Sequence, residues 1–186
     1  MVAVATILPP QTQHELLVDS KILTETKREL AYAWLEQHAL WATGIVSPQQ
    51  IDECNIYKAT QKAMRKAVYG LFSALPAHDN INSIAIDAMP LEVKGLEHIP
   101  VHAYPKGEWW SPSIAAASII AKVTRDRLMA DMASHFPTYH FQGHKGYGTA
   151  VHQESIQRAG PSFMHRVSFL KSFAPTHDTA HQQSLF

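Results

Sequence analysis

The sequence predicts an α/β protein, a sheet with helices packed on its faces. Three observations carry that prediction. Short β-branched apolar runs alternate with long segments of helical spacing, the pattern of strands connected through helices. Hydrophobic types make up 46% of the 186 residues and charged types 17%, enough apolar material for one core without staples. The single cysteine, Cys54, leaves no room for an internal disulfide or a Cys-based zinc site. No apolar run reaches the roughly 18 residues of a membrane span, and the opening Met-Val-Ala-Val lacks the basic segment of a signal peptide. A cytoplasmic protein with no membrane partner is expected.

The elements follow in order. Val2 to Leu8 is β-branched and apolar and stops at Pro9-Pro10, which predicts a buried strand. Thr24 to His38 has helical spacing, with Leu30, Trp34 and Leu35 on one side. Leu40 to Val46 reads as a second strand. Ser47-Pro48-x-Gln50 opens a long helix: Ser as N-cap, Pro in the first turn, Gln at the capping-box position. It runs to about Leu75, where Pro76 and His78-Asp79-Asn80 end it, and Lys58, Lys62, Arg65 and Lys66 make a solvated basic face. Ser83 to Asp87 and Ile99 to Tyr104 are further strands. Ser111-Pro112 opens a second long helix, to about His135, and a loop rich in His, Gly and Tyr follows. Thr149 caps a short helix that Gly160-Pro161 ends. The polar stretch 172–186 has no periodicity and is expected to be a flexible tail, leaving 1–171 as the domain.

Net charge is zero but unevenly spread. Residues 1–118 carry 9 Lys+Arg and 12 Asp+Glu, a net of −3. Residues 119–171 carry 7 basic and 3 acidic side chains, a net of +4, and five histidines besides. A basic C-terminal third suits a polyanionic partner, while ordinary variation in surface charge gives the same pattern.

Several residues stand out chemically. Asp87 ends a strand, and sites in α/β sheets gather at the carboxyl ends of strands; a turn-forming Asp before Ala88-Met89-Pro90 is the plainer reading. Ser118, Lys122 and Asp126 are spaced i, i+4, i+8, a polar stripe on a helix otherwise rich in Ala and Ile. An acid on so apolar a helix needs a partner or a metal, or it is half of a plain Lys–Asp surface pair. His144-Lys145-Gly146-Tyr147-Gly148-Thr149 is a basic, flexible loop with one aromatic ring at a helix N-terminus, fit for a phosphate and its sugar or else a Gly-rich connector. Asp19-Ser20-Lys21 before a helix is a weaker phosphate candidate, or a solvated turn. His135, His140 and His144 match no standard zinc spacing.

Together these segments resemble the type 2 ribonuclease H family, bacterial ribonuclease HII in particular. Five stretches carry the resemblance: Asp19-Ser20-Lys21; Ile51-Asp52-Glu53-Cys54-Asn55-Ile56 running on to Ala63-Met64-Arg65; Ile86-Asp87; Lys106-Gly107 with Ser113-Ile114-Ala115-Ala116-Ala117-Ser118 through Lys122-Val123-Thr124-Arg125-Asp126-Arg127; and His144 to Thr149 with Gly160-Pro161-Ser162 and His165-Arg166. The resemblance implies a ribonuclease H-like mixed sheet flanked by helices, with a helical C-terminal portion over a substrate groove. It implies a partner, an RNA–DNA hybrid or DNA with embedded ribonucleotides, cut on the 5′ side of a ribonucleotide by a monomer. It implies four carboxylates holding two Mg²⁺ or Mn²⁺ ions that activate a water and stabilise the leaving oxygen. Asp87 and Asp126 match two of those catalytic, metal-ligating carboxylates. Tyr147 matches the ring that stacks on the ribose. Lys21, Lys145 and Arg166 match phosphate contacts, with Ser20 and Lys122 as further substrate-binding positions. Glu108 stands where the family usually has Asp after Lys-Gly.

One departure is large. Such proteins open with a strand bearing Asp-Glu-x-Gly-Arg-Gly, and no such motif occurs here. Met1 to Leu8 resembles the family's second strand, so the first, central strand and two of the four carboxylates are absent from this chain. We expect a truncated reading of a working enzyme, with Met1 an internal methionine, and a chain that is inactive and poorly stable as it stands. A non-catalytic hybrid-binding remnant of the same family is the alternative. An unrelated α/β hydrolase of small phosphates is a third reading, disfavoured by the long basic stretch.

Overall fold

The computed structural model describes residues 1–76 and 81–173. In chain order these form β1 (Val2–Ile7), α1 (Glu25–His38), β2 (Leu40–Ile45), α2 (Pro48–Ala74), β3 (Ile84–Asp87), β4 (Val101–Tyr104), α3 (Pro112–His135), α4 (Phe141–His144) and α5 (Ala150–Ala159), with short 3-10 turns at Gly107–Trp109, Pro137–Tyr139 and Val167–Phe173. The tail expected from 172 lies, from 174 onward, outside the described residues, as do His78, Asp79 and Asn80.

The strands form two separate pairs. β1 runs antiparallel to β2, from Val2 opposite Ile45 to Ile7 opposite Leu40. β3 runs parallel to β4, from Ile84 opposite Val101 to Asp87 opposite Tyr104. Among the described residues no ladder joins β1 to β3, so the mixed sheet is divided into two two-stranded pieces. That division explains a correction. β1 was expected to be buried, yet of Val2 to Ile7 only Ala3 is, because a strand paired along one edge leaves its other side uncovered.

The helix starts follow their sequence signals. Thr24 Oγ1 accepts the Lys27 N–H at 3.3 Å, and Thr149 Oγ1 accepts that of His152 at 3.4 Å. Ser47 and Gln50 close a full capping box. Two details differ from expectation. α2 is broken at Asn55, whose φ of 69° is left-handed; the Asn55 Oδ1 then accepts the Lys58 N–H at 3.1 Å and restarts the helix. In α1 the buried stripe is Ala31, Tyr32 and Leu35, while Leu30 is 60% exposed.

Three clusters make the core. The first packs Ile119, Ile120, Ala115, Ala116 and Val123 of α3 on Ala31, Tyr32 and Leu35 of α1 and on Leu17 and Leu23. The second sets Ile86 of β3 against Val68 and Phe72 of α2, with Leu91, Val93 and Ile99. The third joins Ala3 and Val46 to Ile51, Ala59 and Ala63 of α2. There β2 lies so close to α2 that a Cβ on Gly44 would sit 1.9 Å from the Ala63 carbonyl oxygen. The carboxyl end of β3 and the start of α3 are thereby brought to the same end of the molecule.

Candidate active site

Asp87 ends β3, half-buried, and its Oδ1 accepts the Gly107 N–H at 2.9 Å. Gly107 is closely packed: a Cβ would fall 2.6 Å from Ile114 Cδ1, the far end of a side chain that would have to move, and 3.4 Å from Asp87 Cα. The next residue, Glu108, is 9% exposed. Its Oε1 accepts the Ser118 hydroxyl at 2.8 Å, Ser118 lies 2.8 Å from the Ser20 hydroxyl, and Lys21 Nζ stands 3.8 Å from the same carboxylate. Since Ser118 donates to Glu108, Ser20 donates to Ser118, which gives a chain of two hydroxyls ending on a buried acid. Lys21 keeps its side chain 76% exposed while Asp19 Oδ1 accepts its backbone N–H, an Asx turn that fixes the segment ahead of α1.

The stripe Ser118, Lys122, Asp126 does lie on one face of α3, spanning about 12 Å. Ser118 turns to Glu108, and Lys122 Nζ pairs with Asp126 Oδ2 at 2.7 Å, half-buried rather than on the open surface. Arg125 Nη1 adds a second cation to Asp126 at 3.5 Å. Arg125 also donates from Nη2 to the Lys145 carbonyl at 2.8 Å and places its guanidinium 4.8 Å from the centre of the Tyr147 ring; Lys122 Nζ is 5.3 Å from the same ring. The basic loop is thereby pinned to α3, and Tyr147, Lys122 and Asp126 come together. Lys145 takes a left-handed φ of 50° and Gly146 one of 78°, the sharp reversal that turns Tyr147 back over the helix.

Three histidines hold that loop from behind. His144 Nε2 donates to the Tyr139 carbonyl at 2.7 Å while its Nδ1 accepts the Gly146 N–H at 3.1 Å. His152 Nδ1 donates to the Tyr147 carbonyl at 2.9 Å, which leaves Nε2 as an acceptor. His165 Nδ1 accepts the Ser162 N–H at 2.9 Å, so its Nε2 carries the proton and donates to His152 Nε2 at 3.1 Å. All three rings have both nitrogens hydrogen-bonded. Burial, then the neighbouring histidines, pushes the His165 pKa below its ordinary value; burial chiefly does the same for His152.

Arg166 follows His165 and lies against the Phe169 ring at 3.8 Å. Burial and then the charge of Arg125 lower its pKa, so two guanidiniums share this end of the molecule, a local field that suits a polyanion. Asp52 of α2 accepts the Val167 N–H at 2.7 Å and the Ser168 N–H at 3.1 Å and fastens the segment behind Arg166.

Every sequence-derived site residue thus falls in one of two groups, Asp87, Ser20 and Lys21 near the N-terminal part of α3 and Lys122, Asp126, Tyr147, Lys145 and Arg166 about its middle. Sequence reasoning missed Glu108 as the buried hub, Arg125 as the clasp of the loop, and the His144–His152–His165 triad. A signal existed for Arg125, which sits between Thr124 and Asp126 in the matched motif. The triad had none, since His152 and His165 lie 13 positions apart with no spacing to mark them.

The acidic residues were weighed against a divalent metal. Among the described residues no group of three or more His, Cys, Asp and Glu side chains is arranged to hold an ion. Asp126 faces two cations and Asp87 Oδ1 is taken by a backbone N–H. These two carboxylates alone do not fit a two-ion centre.

The model of the family described as Ribonuclease HII matches residues 1–172. The chain belongs to the ribonuclease HII family. It is 46% identical over 179 residues to a ribonuclease HII of Bacillus cytotoxicus, covering 96% of this chain and 64% of that protein. With one of Acetivibrio thermocellus it is 45% identical over 174 residues, covering 93% and 64%. It therefore spans just under two thirds of the length of the curated relatives it matches. Among solved structures it is similar to ribonuclease HII in the complex with PCNA from Archaeoglobus fulgidus, with a TM-score of 0.68, 20% identity, and 99% and 90% of the two chains covered. It is also similar to Bst-RNase HIII in complex with Mn²⁺, with a TM-score of 0.64, 16% identity, and 91% and 67% covered. The fold is that of the ribonucleases H of type 2, as the sequence implied. Among the described residues no helix is long and apolar enough to cross a membrane.

Proposed function

We propose that this chain carries the substrate-reading face and two acidic positions of an endonuclease for RNA–DNA hybrids, one that hydrolyses the RNA strand and cuts on the 5′ side of ribonucleotides embedded in DNA. The observation behind this reading is Tyr147 packed over Lys122 and Arg125 beside Asp126. An aromatic face held by cations offers a ribose its stacking surface and an adjacent phosphate its counter-charge, and a ribose 2′-OH distinguishes RNA from DNA at that point. In this reading Lys21, Lys145 and Arg166 take phosphates along the strand, and Ser20 and Lys122 border it. Asp87 and Asp126 are two of the carboxylates of a Mg²⁺- or Mn²⁺-dependent centre that requires more of them, so we expect the 186-residue chain, assayed by itself as a cytoplasmic monomer, to bind hybrids and to cut them poorly or not at all.

A non-catalytic hybrid-binding role is the second reading, favoured by one observation: Asp126 is already neutralised by Lys122 and Arg125. Fluorescence anisotropy with a hybrid, an all-DNA duplex and a DNA duplex holding one ribonucleotide tests both, run beside cleavage in Mg²⁺ and in Mn²⁺. The expected result is preference for the ribonucleotide-containing duplexes, weakened about 10-fold by Tyr147→Ala. Equal binding of all three duplexes, untouched by that substitution, refutes both readings. Cleavage of a small phosphate ester but of no hybrid revives the small-substrate hydrolase.

A further inference from the structure

Trp109 and Trp110 stand 72% and 79% exposed on the turn that follows β4. Each indole carries about 150–250 Å² of surface, and a folded chain seldom leaves two adjacent ones in water unless something covers them. The turn that presents them is rigid. The Trp109 N–H donates to the Lys106 carbonyl and the Trp110 N–H to that of Gly107, both at 3.0 Å. Gly107 is wedged against Ile114 and gives its own N–H to Asp87. The two indoles are therefore fixed within three residues of the amide that holds the acidic position. Two lysines lie on this side, among acids: Lys106 is exposed, and Lys21 reaches out beside Asp19 and Glu108, the latter buried and hydrogen-bonded by Ser118. Indole faces framed by lysines suit a sugar–phosphate strand, with the cations on phosphates and the rings against sugars and bases.

We propose that Trp109 and Trp110 grip, by face contact with its sugars and bases, the nucleic-acid strand that passes Asp87, a second aromatic station besides Tyr147. The inference rests on the hybrid-binding reading above. The test is acrylamide quenching of indole fluorescence in the full chain, with and without an RNA–DNA hybrid, using W109F–W110F as the blank for Trp34 and Trp41, alongside anisotropy with the same hybrid. The hybrid is expected to shield the pair. W109A–W110A should weaken binding about 10-fold with an unchanged salt slope, because the lost contact is not ionic, and W109F–W110F should retain most of the affinity. If the hybrid binds while the indoles stay quenchable, or if the double alanine variant binds as tightly, the inference is overturned and the hybrid-binding reading stands. If no hybrid binds, both fall. Shielding that grows with protein concentration in the absence of nucleic acid overturns it in favour of self-association.

Discussion

Lowering the pH should loosen the Tyr147 loop before it unfolds the rest of the chain. His152 and His165 have pKa values held below the ordinary 6.5, chiefly by burial. The groups facing the pair are the rings of Tyr139, Phe141 and His144. An imidazole whose folded pKa is depressed costs the folded state stability once the pH is low enough for the unfolded chain to take up its proton. The stability is therefore fully present above about 6.5 and is lost as the pH falls from there through the depressed folded values. The hydrogen bonds set the size. A second proton on His152 turns the 3.1 Å Nε2···Nε2 bond into two opposed N–H groups, and one on His165 opposes Nδ1–H to the Ser162 N–H at 2.9 Å. Each event replaces a net bond of about 1 kcal/mol with a buried, unpaired donor costing about 1–3 kcal/mol. His152 also holds the Tyr147 carbonyl through Nδ1, so a His152 ring pushed off His165 carries the loss to the Tyr147 loop first. Imidazole chemical shifts between pH 5 and 8, with amide exchange across 139–152, provide the assay. The reasoning is refuted if both rings titrate at or above 6.5, or if the Tyr147 and His152 amides keep their protection at pH 5.

Gly44→Ala should be among the costliest small substitutions, because its methyl would lie 1.9 Å from the Ala63 carbonyl and 2.8 Å from the Ala67 nitrogen, with only backbone to yield; a loss of about 3 kcal/mol or more is expected in urea unfolding. Asp52→Asn should speed amide exchange at Val167 and Ser168. Asp52 owes its lowered pKa first to the Ser168 hydroxyl, so in the wild-type chain this tether is present above the ordinary 3.8 and is lost as the pH falls through the depressed value. Lys145→Ala should weaken hybrid binding uniformly across sequences and reduce the salt slope by about 1, read by anisotropy at several salt concentrations.

Much of the frame was legible because it is local. Thr24, Ser47, Ser111 and Thr149 each cap the helix their sequence context announced, since a cap needs only a side chain three residues ahead of an N–H. The Ser118–Lys122–Asp126 stripe was legible for the same reason, being set by helical spacing alone. The misses are all non-local or conformational. The left-handed turn at Asn55 leaves no mark in a polar residue on a polar face. Glu108 is buried because Ser20, 88 positions earlier in the chain, closes over it through Ser118, and no local pattern encodes that meeting. Leu30 shares a side of α1 with Trp34 and Leu35 by spacing, yet it is exposed, because the face of α1 that meets α3 is fixed by Ala31, Tyr32 and Leu35.

The divided sheet gives α3 a larger part than a helix usually has. With no ladder between β1 and β3, the Asp87 half of the site is fastened to the β3–β4 pair, and the Asp126 half to the loop that Arg125 clasps. α3 packs on β1, on α1, on α4 and on the Gly107–Trp109 turn, and so is the element that fixes the distance between the two halves. It meets the turn through Ile114 against Gly107 and Ser118 to Glu108, and the loop through Met129 against Gly146 and Arg125 to Lys145.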